Sequence, residues 1–124
     1  MKKPTESELA ILTVIWDLGS ATVREVYEVL GERQGVGYTT VLKLMQIMTD
    51  KELLLKDVSV RPQVFKASRP RLQTQKALLA DLMERAFSGS PGNLVLQALA
   101  MKESSPEELR EIRRMLDGLE EASK

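Results

Sequence analysis

Three times along this chain a hydroxyl residue stands three positions ahead of a glutamate, close before an apolar repeat: Thr5-Glu6-Ser7-Glu8, Thr22-Val23-Arg24-Glu25 and Ser105-Pro106-Glu107-Glu108. Each reads as a capping box. The hydroxyl accepts from the N–H three residues on, and the carboxylate reaches back to the N–H of the hydroxyl residue. These starts divide the chain into helices before any propensity is weighed. Behind the first, Leu9, Leu12, Ile15 and Trp16 keep helical spacing up to Gly19, a residue suited to the left-handed turn that ends a helix. Behind the second, Val26, Val29 and Leu30 share one face, and Gly31, Gly35 and Gly37 mark a turn.

From Gly37 a further helix is predicted. Val41, Leu44, Met45 and Met48 fall at i, i+3, i+4 and i+7, one buried stripe, with Trp16, Val26 and Leu30 as expected core partners. Thr39, Thr40, Lys43 and Gln46 remain on the outer side, with no carboxylate until Asp50. Hydroxyl, ammonium and amide groups on the N-terminal half of a helix match the donors and acceptors in a DNA major groove. Taken alone, the segment is better explained by an ordinary amphipathic surface helix. Its flanks decide otherwise. The period changes to that of short strands over Leu53–Val58 and Gln63–Ala67, separated by Ser59-Val60-Arg61-Pro62. Three helices followed by a hairpin give a winged helix-turn-helix, with Arg61 at the wing tip as either a phosphate contact or a solvated loop charge. Tyr38 is either a core ring or one laid on sugar-phosphate.

Composition narrows the function further. Cysteine and histidine are both absent, which removes disulfides, thiolate metal sites, the commonest general base and the commonest transition-metal ligand. Catalysis would need paired carboxylates or an activated Ser or Lys, and Glu8, Glu25 and Glu108 are already explained by capping. No enzyme activity, metal or cofactor is expected. No apolar run approaches the roughly 18 residues that span a bilayer, and no apolar segment follows the basic N-terminus as in a secretory signal, so a cytoplasmic location without membrane insertion is expected. Net charge is zero, which counts against nucleic-acid binding. Its distribution does not. Residues 36–71 carry seven basic and three acidic side chains, and residues 72–124 carry seven and nine. Phosphates respond to potential within a Debye length of about 8–10 Å, so the middle third is the plausible contact face.

After Arg69-Pro70 the chain turns helical again, with Pro70 expected in a first turn. Leu72, Leu78, Leu79, Leu82, Met83, Ala86 and Phe87 supply an apolar face. Ser88–Gly92 interrupts it, a short helix carries Leu96 and Leu99, and a last helix turns Leu109, Ile112, Leu116 (or Met115) and Leu119 inward. So few residues cannot enclose a core, so these side chains need another surface. The tail either folds back on its own head or, more simply, pairs with a second copy. The expected architecture is mainly α with a small β-hairpin: a winged helix-turn-helix DNA-binding head over residues 1–70 and a helical dimerisation tail over 71–124. Leu78, Leu82, Phe87, Leu96, Leu99, Leu109, Ile112, Leu116 and Leu119 are the expected dimer contacts.

From Pro4 to Leu119 the chain resembles the BlaI/MecI/CopY family of bacterial penicillinase-type repressors. The resemblance is carried by Thr5-Glu6-Ser7-Glu8-Leu9, Ile15-Trp16, Gly19-Ser20-Ala21-Thr22-Val23-Arg24-Glu25-Val26, Tyr38-Thr39-Thr40-Val41-Leu42 and Lys51-Glu52-Leu53-Leu54. It implies a homodimeric repressor on a palindromic double-stranded DNA operator. The helix from Thr39 would read the major groove and the Lys56–Lys66 hairpin would be the wing. DNA contacts are expected from Tyr38, Thr39, Thr40, Lys43, Gln46, Lys56, Arg61 and Lys66. Relatives commonly carry a basic residue where Ile47 stands and a glycine where Glu52 stands. Penicillin-responsive relatives are cut by a membrane-bound sensor protease at an Asn-Phe bond, where this chain has Gln97-Ala98, so the cleavage site is not matched. Copper-responsive relatives carry a cysteine cluster, which this chain lacks. The rival reading is a winged-helix protein-interaction adaptor that does not bind DNA.

Overall fold

The computed structural model describes residues 3–124. The order of elements is α1 (Glu6–Leu18), α2 (Val23–Gln34), α3 (Tyr38–Asp50), β1 (Leu54–Asp57), β2 (Val64–Ala67), α4 (Arg71–Ala86), α5 (Pro91–Met101) and α6 (Pro106–Ala122). The fold is therefore mainly helical with one small hairpin. The chain divides into two compact units, one ending at Leu79 and the other running from Ala80 to Lys124.

In the first unit, α1 and α2 both begin with reciprocal capping boxes. Thr5 Oγ1 accepts from the Glu8 N–H at 3.2 Å while Glu8 Oε1 accepts from the Thr5 N–H at 2.9 Å. Thr22 and Glu25 repeat the pattern at 3.1 and 2.9 Å. Both helices and α3 bury their apolar stripes in one core: Ile11 and Ile15 from α1, Val26 and Leu30 from α2, and Val41, Met45 and Met48 from α3. Leu44, expected in that stripe, is half-buried and packs on its margin. Trp16 also lies at the margin. Its indole N–H donates to the Arg69 carbonyl at 3.0 Å, and the Arg71 guanidinium lies 5.6 Å from its ring centroid. An indole needs a partner for its N–H when it is partly buried, and the entry of α4 supplies one.

The hairpin is antiparallel, with Leu54 opposite Ala67 and Lys56 opposite Phe65. Ala21 joins as an isolated bridge to Phe65, with N–H···O distances of 3.0 and 2.8 Å, so the turn between α1 and α2 pins the root of the wing. Pro70 stands just before α4 rather than inside its first turn. Its carbonyl accepts from the N–H groups of Gln73 and Thr74, a task that needs no N–H of its own.

At the end of α3, Leu53 N–H bonds to the Met48 carbonyl at 2.8 Å and Glu52 N–H to Thr49 at 3.0 Å, with Glu52 at φ 65°. This is a Schellman ending whose left-handed position, which glycine adopts most freely, is filled by glutamate. Met48 and Leu53, the residues flanking the turn, are both buried and give the motif its apolar contact.

In the second unit, Ser90 Oγ caps α5 through the Asn93 N–H, and Ser105 Oγ caps α6 through the Glu108 N–H at 3.0 Å. Among the described residues none beyond Thr74 is buried, so this unit has apolar faces but no enclosed core in the single chain.

Candidate nucleic-acid interface

The helical wheel of α3 is sharply divided. Val41, Met45 and Met48 have no exposed surface, whereas Thr39, Thr40, Lys43 and Gln46 are exposed on the opposite side. At 100° per residue these four span about a third of the helix circumference, an edge narrow enough for a groove about 12 Å wide. Asp50 lies on the same edge at its C-terminal end, which confines an anionic partner to the first turns. Ile47, 37% exposed, borders Thr40 and Lys43.

The wing folds beside this edge. The residues lining a cleft of about 380 Å³ come from three elements: Thr22, Val23 and Arg24 at the start of α2, Tyr38, Leu42 and Gln46 on α3, and Lys56, Arg61, Pro62, Gln63 and Phe65 on the hairpin. Four of the expected contacts, Tyr38, Gln46, Lys56 and Arg61, thus meet in one concavity, with Thr39, Thr40 and Lys43 on the adjoining edge of α3. The lining holds three basic side chains and no acidic one.

Lys66 is not brought to that cleft. Register places it opposite Leu55, on the face of the hairpin turned away from Lys56 and Phe65. It borders a separate hollow with Trp16, Gly19 and Arg69. Its ammonium also helps hold the Asp57 carboxyl below its usual range, after the larger effects of the Ser59 hydroxyl and N–H that bond to it. Ser59 N–H donates to Asp57 Oδ1 at 2.9 Å, and this Asx turn shapes the start of the wing loop.

Tyr38 is 41% exposed, but its ring is held. Tyr27 meets it edge-on, centroids 5.6 Å apart and planes at 79°, and the Arg24 guanidinium lies 5.6 Å from the centroid. Arg24 is the cleft residue that sequence reasoning passed over, because it sits inside a capping box. One signal was available: a cation at the second position of a helix opposes the macrodipole and so calls for a reason.

Two cations counted in the basic middle third are used internally. Lys51 Nζ bonds Glu8 at 2.9 Å, and Arg71 pairs with Asp17 while also donating to the Thr13 carbonyl at 3.3 Å. Lys43, Lys56 and Arg61 make no ion pair among the described residues. Of the expected dimer contacts, Leu82, Leu96, Leu99, Leu109, Leu116 and Leu119 are exposed, while Leu78, Phe87 and Ile112 are half-buried. Among the described residues no acidic cluster could hold a metal ion, and no helix is long and apolar enough to cross a membrane.

Comparison with known proteins gives one family. The model described as penicillinase repressor matches residues 4–118. Among solved structures, a MarR family transcriptional regulator from Silicibacter pomeroyi DSS matches with a TM-score of 0.46 and 17% identity, covering 94% of this chain and 69% of that one. No curated protein matches.

Proposed function

This chain belongs to the penicillinase repressor family of DNA-binding regulators, and on that premise we propose that it is a homodimeric repressor of a palindromic operator. The carrying observation is the division of α3, with three fully buried apolar residues on one side and Thr39, Thr40, Lys43 and Gln46 on the other. In this reading Lys43 meets guanine acceptors or phosphate, Gln46 pairs with adenine, and the two hydroxyls bond base edges or phosphate. Tyr38, Lys56 and Arg61 contact the flanking backbone, where they position the protein without reading sequence. Lys66 contributes only to the general potential.

The head over residues 1–70 reads DNA and the tail over 71–124 pairs two copies. Support for pairing comes from the tail's exposed Leu96, Leu109, Leu116 and Leu119, in a unit that buries nothing alone. One head has few basic contacts and binds weakly. Pairing makes the second half-site contact effectively intramolecular, which raises affinity without new contacts. Release of DNA then needs only a signal that separates the tails.

Sedimentation of the full chain, with selection of bound duplexes from a random pool, tests this directly. A dimer that enriches an inverted repeat, and loses that preference in Lys43→Ala and Gln46→Ala, is the expected outcome. A monomer, or variants with the parent's preference, would overturn it. An adaptor that binds protein through the same head is the second reading, favoured by zero net charge and by exposed Leu55 and Val58 on the wing. Absence of salt-dependent retention on duplex DNA would select it.

A further inference from the structure

We propose that Arg24 is a phosphate clamp of the DNA-binding head, held ready by Tyr38 and Tyr27. The inference rests on the operator reading above and adds a contact from α2 that this reading does not contain.

Four observations meet at this side chain. Its guanidinium lies 5.6 Å from the Tyr38 ring centroid, and Tyr27 fixes that ring edge-on from another direction. Among the described residues the Arg24 side chain makes no ion pair and no hydrogen bond. It lines the same cleft as Lys56 and Arg61, which no carboxylate lines. And it stands at the second position of α2, where the macrodipole disfavours a cation and a neutral side chain would serve the helix better.

The geometry gives these facts one use. A guanidinium drawn to an aromatic face by cation–π attraction spends no N–H donor on a hydrogen bond and keeps its five donors for a ligand. Those donors form a fork that matches two oxygens of a phosphodiester. Because the ring already draws the side chain to one place, binding orders less of it than it would a free arginine. The cleft lies between the start of the reading helix and the wing, so the phosphate held there is the one joining the read bases to the flank. Lysine could supply charge at this position but not the fork.

The test uses the full chain, a short mixed-sequence duplex and the duplex selected by the parent protein, titrated between about 50 and 200 mM salt. Arg24→Ala is expected to weaken both duplexes by about tenfold and to flatten the slope of log affinity against log salt by about 0.9 per head. Arg24→Lys restores the slope and only part of the affinity. Tyr38→Phe, which keeps the ring, binds more tightly than Tyr38→Leu. Thermal melts of each variant establish that the head stays folded. Parent-like affinity and slope in Arg24→Ala overturns the clamp and leaves the operator reading standing, as does weaker binding with an unchanged slope. Equal binding by the two Tyr38 variants overturns the role given to the ring. A parent protein that binds inorganic phosphate but neither duplex overturns the operator reading itself, and the clamp's phosphodiester with it.

Discussion

Lys51 Nζ lies 2.9 Å from Glu8 Oε2, so the residue that caps the C-terminus of the reading helix is tied to the first turn of α1 through a carboxylate that is almost wholly buried. Glu8 also closes its own capping box through the Thr5 N–H. One side chain thus sets the start of α1 and the end of α3, and with them the angle at which α3 is presented.

Removing the cation leaves that carboxylate buried with only its capping bonds. Breaking a buried pair costs about 3–5 kcal/mol, and the Lys51 side chain is 33% exposed, so solvent screening lowers the expected loss for Lys51→Met to about 1–2 kcal/mol. Denaturant melts measure it. The salt dependence of DNA binding should not change, because this charge is used inside the protein. A flattened salt slope would instead make Lys51 a DNA contact.

The same pair sets an acid response. Burial pushes the Glu8 carboxyl up, but the Thr5 N–H and the Lys51 ammonium outweigh it, and its pKa lies below the ordinary 4.5. A carboxyl whose pKa is lower folded than unfolded contributes stability that is fully present above the unfolded value and is lost as pH falls through the folded one. The stability difference between the parent and Glu8→Gln should therefore be constant above about pH 5 and shrink below 4.5. A difference that grows on acidification would show the opposite sign of shift.

Glu52 holds a left-handed conformation at φ 65° that glycine adopts freely. The strain is about 1–2 kcal/mol, and glycine's extra freedom in the unfolded chain returns about 0.4–1 kcal/mol of that. Glu52→Gly should thus stabilise the head by roughly 0.5–1 kcal/mol, raising its melting temperature. Glu52→Val, β-branched at the same φ, should lower it.

Glu52 also shows how far the sequence could be read. Capping boxes and the period of Val41, Met45 and Met48 are local signals, and they located the helices and the outer edge of α3 without tertiary information. Strand periodicity likewise located the hairpin, but not which way each lysine faces. That follows from register, which turns Lys56 toward the cleft and Lys66 away from it. Arg24 carried one sequence signal, its place in the first turn of α2, but its use was hidden for a related reason. Its site exists only once the turn after α1 brings the start of α2 beside Tyr38 and the wing. Charge counting failed at Lys51 and Arg71 because their partners Glu8 and Asp17 lie more than 40 residues away in sequence.

Ile47 gives the clearest separation of affinity from selectivity. It is 37% exposed on the border of the reading edge, beside Lys43. An apolar side chain there can meet a thymine methyl but cannot neutralise a phosphate. Ile47→Arg adds one cation per head, so affinity for generic duplex should rise and the salt slope should steepen by about 0.9 per head. Preference for the selected site should fall at the same time, because the gain is independent of sequence and the methyl contact is gone. Its partial exposure keeps the cost to folding within about 0.5 kcal/mol. Parallel titrations against selected and scrambled duplexes read both effects. A variant whose generic affinity is unchanged would place Ile47 away from the DNA and turn α3 about its axis relative to the groove.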